Sequence, residues 1–126
     1  MRIGSLFLAM MLMFASGSAA AMPERISSPE IRGMLPGNTV VGTWSSKAYQ
    51  QLFRPDGTTA FKIDGAELDE GRWWVTDEDY CSWWRGSGED FYQVLRDGDE
   101  VTWRTKGLFS RSLEGALLPG DQLAPR

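Results

Sequence analysis

Histidine is absent from these 126 residues, and Cys81 is the one cysteine. Without imidazole there is no side chain poised to exchange a proton near neutral pH. The Ser-His-Asp and Cys-His arrangements and imidazole metal sites go with it. One thiol cannot build a thiolate zinc or iron–sulfur centre. Placed between Tyr80 and Ser82 in an apolar run, Cys81 reads as a buried, inert thiol. No glycine-rich phosphate loop precedes a helix. Carboxylates remain. Asp77-Glu78-Asp79 and Asp97-Gly98-Asp99-Glu100 offer several oxygens to a hard cation, but neither has calcium-loop spacing, and Asp-Gly is the pair that a hairpin turn selects. Paired carboxylates for glycoside hydrolysis are defined by a separation in space rather than in sequence. The expectation is therefore a non-catalytic protein that holds no metal or cofactor and acts by binding.

The aromatic residues carry the more informative signal. Six tryptophans lie beyond residue 21, four of them in the pairs Trp73-Trp74 and Trp83-Trp84. Adjacent residues of a strand face opposite sides, so both members of a pair cannot enter one core. A three-residue loop through Asp77-Glu78-Asp79 puts Trp73, Val75, Cys81 and Trp83 on the core side and turns Trp74 and Trp84 outward. A bulge there exchanges them. Outward tryptophan marks a contact surface, because large exposed apolar area is otherwise a liability. Trp74, Trp84, Tyr80 and Arg72 are the candidate binding residues, bordered by the acidic turn. The alternative is that the helix or the tail Leu117-Leu118-Pro119 covers the second tryptophans.

The elements that must position these groups follow from the pattern of the chain. Arg2, the apolar run from Leu6 to Phe14 and the small residues Ser16-Gly17-Ser18-Ala19-Ala20-Ala21 have the three parts of a secretory signal peptide. The run is too short to span a bilayer, and no second long apolar run follows, so no membrane span is expected. The reading divides the chain into a signal peptide, 1–21, and a single β domain, 22–126, that is periplasmic or secreted. The full chain carries a net charge of −4, and 12 basic against 17 acidic residues remain once Arg2 is set aside. Such a surface repels nucleic acid and anionic lipid, and no nucleic-acid partner is expected. One cysteine forms no internal disulfide, so packing must hold the domain together.

Ser28 as N-cap, Pro29 at the first helical position and Glu30 in the first turn start a short helix that Pro36-Gly37-Asn38 ends. Ile31, Met34 and Leu35 share one face of it. From Thr39 the hydrophobic period becomes two and turn signals recur, which is the rhythm of an antiparallel sandwich or barrel. Strands are expected at 39–45, 49–54, 58–63, 71–75, 80–84, 91–96, 100–104 and, more weakly, 109–113. A turn at Pro55-Asp56-Gly57 pairs Phe53 with Thr59 and Gln51 with Phe61. A two-residue turn at Asp97-Gly98 pairs Val94 with Val101 and Tyr92 with Trp103, gathering those four side chains on the inner face. The fold class is thus all-β: a small antiparallel meander, barrel or sandwich, of about eight strands with one N-terminal helix.

Two resemblances attach to these residues. The order Ile31-Arg32 to Leu35, Gly37-Asn38-Thr39, Gly42-Thr43, Pro55-Asp56-Gly57-Thr58, Gly71-x-Trp73-x-Val75, Tyr80-Cys81 and Arg96-Asp97-Gly98 resembles a family of small exported bacterial domains of unknown function. Members of that family often carry a second cysteine near the position of Phe91. This chain has none, so no disulfide to Cys81 is implied. Gly42-Thr43-Trp44 after a short helix is similar to the entry into the first strand of lipocalin-like barrels. That resemblance implies a tryptophan closing the barrel bottom, an arginine such as Arg104 or Arg111 packed across it, and an interior that holds a small apolar molecule. Two kinds of binding are therefore expected as alternatives: a lipocalin-like carrier or sensor of a small apolar ligand, or a module that binds an envelope protein, for example an inhibitor of a lysozyme.

Overall fold

Alternating side chains and recurrent turns fold into a closed barrel. The computed structural model describes residues 22–123, so the expected signal peptide lies outside the described residues. In chain order the elements are β1 (Glu24–Arg25), α1 (Ser28–Met34), β2 (Thr39–Trp44), β3 (Lys47–Phe53), β4 (Thr58–Ile63), β5 (Asp69–Val75), β6 (Tyr80–Trp84), β7 (Gly88–Asp97), β8 (Glu100–Thr105) and β9 (Ser112–Leu118). From β2 to β9 each strand pairs antiparallel with the next, and β9 pairs back onto β2. Every strand from β2 to β9 is thereby flanked on both sides, which decides between barrel and sandwich.

The long strand β7 makes this closure possible. Its first half, Gly88 to Tyr92, pairs with β6, and its second half, Tyr92 to Asp97, pairs with β8. The edge that β6 leaves open is filled by β1, which puts Arg25 opposite Leu95 and continues through a bond from the Ile26 amide to the Val94 carbonyl. The sequence reading has no strand at β1, because two residues carry no period.

Most of the expected strands stand where they were placed, and the departures are instructive. The Phe53–Thr59 and Gln51–Phe61 pairs form as expected. In the β7–β8 hairpin, Gly98 and Asp99 make the loop rather than Asp97 and Gly98. Gly98 takes a φ of 58°, and the Asp99 carbonyl accepts the Leu117 amide of β9. Val94 consequently pairs with Trp103 and Tyr92 with Thr105. A slip of two residues leaves each side chain on its face, so Tyr92, Val94, Val101 and Trp103 still point inward. The last strand runs Ser112–Leu118, not 109–113. Period two passes straight through Gly115, and Phe109 belongs to the preceding loop. At the β2–β3 turn, Ser45 and Ser46 both take positive φ, 49° and 64°, a conformation usually left to glycine or asparagine.

The helix begins one residue earlier than read. Ser27 is the N-cap, its hydroxyl accepting the Glu30 amide, and Pro29 fills the first turn. Ile31, Met34 and Leu35 are buried and plug one end of the barrel. Arg32 fastens the plug by donating to the Val75 carbonyl. Asn38 fastens it again, donating to the Met34 carbonyl and accepting the Gly120 amide. Under the plug, Phe53 is the hub of the core. It stacks on Trp103 at 5.7 Å and meets Trp73 edge-on at 5.7 Å and Tyr80 at 6.2 Å.

The seam between β2 and β9 spans Thr39 to Val41 and then stops. Just past it, the Tyr49 hydroxyl donates to the Glu114 carbonyl at 2.6 Å. A side chain on Gly42 or Gly115 would collide with the Tyr49 ring or hydroxyl, so this bond exists because both strands carry glycine there. Burial, reinforced by the negative Glu114, pushes the Tyr49 phenol up to about 12.

Two outcomes follow. Trp103→Ala should lower unfolding free energy in urea by about 3–5 kcal/mol, the cost of deleting a buried large aromatic. Trp83→Ala, on the outer face, should cost about 1 kcal/mol or less. Because the Tyr49 phenol is harder to ionise folded than unfolded, its contribution to stability is complete below pH 10 and is lost as pH rises toward about 12. Denaturation midpoints measured across that range should fall more steeply for the wild-type protein than for Tyr49→Phe.

Candidate functional site

The two ends of the barrel differ. Loops 54–57, 76–79 and 98–99 follow the strand ends nearer α1, and loops 45–46, 64–68, 85–87 and 106–111 follow the others. The stagger of β7, which aligns Tyr80 with Tyr92 and Tyr92 with Thr105, lets Lys106 of the last loop still reach Asp79. At the end away from α1 the interior is open, forming a cavity of about 460 Å³. Its walls are built from the inward rows of the strands. Trp44, Phe61, Trp84, Tyr92 and Trp103 supply aromatic surface, and Leu113 adds an aliphatic patch. Phe61 links the rings: Trp44 meets it edge-on at 6.2 Å and Trp84 at 6.1 Å, while Tyr49 stacks beneath it at 5.3 Å. Trp84 can lie flat against β5 because its partner there is Gly71, where a side chain would overlap the indole.

Polar groups occupy inward positions among these rings. Gln51 is buried and donates to Thr59 Oγ1 at 3.0 Å, and Thr59 passes its own proton to the Leu52 carbonyl at 2.8 Å. Ser82 and Asp90 are paired across β6 and β7, and both interact with the Tyr92 hydroxyl. Burial, followed by the Asp90 charge, raises the Tyr92 pKa, and nearby Arg111 opposes that rise. Burial also raises the Tyr80 pKa, deeper in the core. The cavity therefore mixes aromatic and polar wall: Asp69, the strand partner of Phe61, lies among the rings, while Asp90 lies on β7 and Arg111 just before β9. Among the described residues no group of three histidine, cysteine or carboxylate side chains is close enough to hold a metal ion.

The four residues singled out from sequence do not form one patch. The loop between β5 and β6 has four residues, Thr76 to Asp79, with Val75 opposite Tyr80. It is closed by the Thr76 amide on the Asp79 carbonyl and the Asp79 amide on Thr76 Oγ1. The extra residue exchanges the faces of β6 relative to the three-residue reading. Trp73 still points inward, but its companions are Tyr80, Ser82 and Trp84, while Cys81 and Trp83 join Trp74 and Arg72 outside. Trp84 thus lines the cavity and Tyr80 is buried in the core, whereas Arg72, Trp74 and Trp83 frame a shallow outer depression. Cys81 is fully buried even in this outer row, between its strand partners Trp74 and Phe91.

Phe61, Ser82, Asp90 and Tyr92 are the site residues that sequence reasoning missed. Trp44, expected to close the barrel bottom with Arg104 or Arg111 across it, instead stands half exposed at the open end, where Arg111 lines the same cavity. The sequence carried a usable signal for Gln51, a polar residue expected opposite Phe61 on an inward row. It carried none for Ser82, which the three-residue loop turned outward, or for Asp90, which precedes the expected strand 91–96.

No family model matches the chain, and no curated protein or solved structure is significantly similar to it.

The thiol gives a check on the assignment of faces and cover. Burial pushes the Cys81 thiol up, and the negative charges of Asp79 and Glu89 push it further. Native protein should react with a thiol reagent at least about a hundredfold more slowly than urea-unfolded protein, as expected of an enclosed, protonated thiol. Comparable native and unfolded rates would mean that this face of β6 is open.

Proposed function

We propose that this chain is an exported, non-catalytic binding domain whose barrel carries a small, largely apolar molecule, in the manner of lipocalin-like carriers and sensors. The observation that carries the reading is the blind cavity, plugged by α1 at one end and open among loops at the other. Its volume of about 460 Å³ falls within the range of roughly 300–1,000 Å³ usual for small-molecule sites. Its composition also suits such a ligand. Flat aromatic walls bind apolar surface at little cost in side-chain entropy, and a few polar groups among them fix orientation. The rings of Trp44, Phe61 and Trp84 favour a ligand with a planar or hydrocarbon body, with its polar end toward Asp90, Tyr92 and Arg111.

The second reading, a protein-binding module, rests on the outer depression of Arg72, Trp74 and Trp83, where Trp83 is 41% exposed. The acidic turn Asp77-Glu78-Asp79 would complement a basic partner such as a lysozyme.

One experiment separates the two. Anilinonaphthalene sulfonate, a fluorescent apolar probe, should bind the native protein with enhanced emission and be displaced by material extracted from the protein's own envelope. Leu113→Trp, which fills the cavity, should weaken probe binding about tenfold or more while leaving the unfolding midpoint near the wild-type value. Trp83→Ser should leave probe binding unchanged. If Leu113→Trp binds the probe normally and Trp83→Ser does not, the outer depression is the binding site and the carrier reading fails.

A further inference from the structure

We propose that loop 106–111 seats the mouth of the barrel on an anionic lipid bilayer. Leu108 and Phe109, at the tip of this loop, are 98% and 94% exposed, the two most exposed large apolar side chains among the described residues. They stand out because the base of the loop is pinched shut. The Thr105 amide donates to the Arg111 carbonyl at 2.9 Å, and the Arg111 amide returns a bond to Thr105 Oγ1 at 2.7 Å. Gly107, with a φ of 122°, turns the chain between base and tip. The tip is a short apolar projection on a fixed base.

Its charge and position point to the occupant. From Val101 to Leu113 the chain carries Arg104, Lys106 and Arg111 and no carboxylate, although the whole sequence is net negative. Lys106 is paired with Asp79 at 2.7 Å, which leaves Arg104 and Arg111 as the basic groups beside the tip with no ion pair among the described residues. Apolar tip residues flanked by cations are what an interface of anionic headgroups over acyl chains binds. A protein partner is a poorer fit, since a stable interface buries about 800 Å² on each side and two projecting side chains fall far short. The loop also stands at the open end. Thr105 and Arg111 line the cavity, and so does Trp44, itself 54% exposed. The acidic turn at Asp64, Glu67 and Asp69 rims the same end, and Asp79 of the turn 76–79 reaches the loop's base at Lys106. Both turns would be repelled by such a surface, so the projecting tip makes the contact and the barrel stands tilted.

The test is sedimentation of the protein with vesicles of phosphatidylcholine containing phosphatidylglycerol, compared with phosphatidylcholine alone, at low and high salt. Wild-type protein should bind the anionic vesicles and be released by salt. The double variant Leu108→Ser/Phe109→Ser should bind about tenfold less or worse. Arg104→Gln should weaken binding and flatten its salt dependence. Thermal melts of all variants should match the wild type, because the altered side chains touch solvent. Probe binding in the cavity, measured on the same samples, should be unchanged by the tip variant, so failure of the carrier reading and failure of this one are seen separately. Wild-type protein that ignores anionic vesicles would overturn the proposal. So would a tip variant that binds them equally, or concentration-dependent self-association abolished by the tip variant in the absence of vesicle binding.

Discussion

Closure of the barrel is the constraint on which everything else depends, and it rests on a narrow seam. Only Thr39, Val40 and Val41 pair with β9. Beyond them the Tyr49 hydroxyl reaches the Glu114 carbonyl through a gap that Gly42 and Gly115 leave open. A buried phenol bonded to a backbone carbonyl does what further ladder bonds would otherwise do, at the point where the strands begin to separate. Because they separate there, the wall loosens at the mouth and a cavity survives above a packed floor.

That floor is aromatic. Phe53 with Trp103, Trp73 and Tyr80 fills the barrel beneath the cavity, and α1 seals it from the far side. The division of labour is along the barrel axis: rings meeting rings give a close-packed lower half, and rings meeting Gln51, Ser82 and Asp90 give a partly polar upper half. Trp103 joins the two halves, stacking on Phe53 below and lining the cavity above.

How much of this could be read from residues alone depends on which physical rule each feature obeys. Strand positions and the inward face of β7 and β8 were legible because burial imposes period two, and a two-residue slip does not disturb it. The helix was legible because Ser, Pro and Glu at its start are chemical requirements of an unpaired helix terminus. The placement of Trp84 was not. It turns on a single residue in the Thr76–Asp79 loop, where three- and four-residue closures use the same amino acids. Nor was the choice of barrel over sandwich, which is settled by two three-residue segments far apart in sequence, Thr39–Val41 and Ala116–Leu118. The outer patch inferred from the paired tryptophans split accordingly, with Trp84 going to the cavity, Tyr80 to the core, and Arg72 and Trp74 remaining outside.

That same three-residue seam has a kinetic meaning. Each of the other contacts between neighbouring barrel strands joins segments that follow one another in the chain, and each can form as a local hairpin within microseconds of its turn closing. The seam alone must bring the first barrel strand to the last, so its loop-closure entropy is the largest and its formation comes late. Until residues 116–118 arrive, β2 presents an unpaired edge of Thr, Val and Val to its surroundings. A nascent chain of this kind is at its most vulnerable to association with other unfinished chains once β2 to β8 have paired and before β9 arrives.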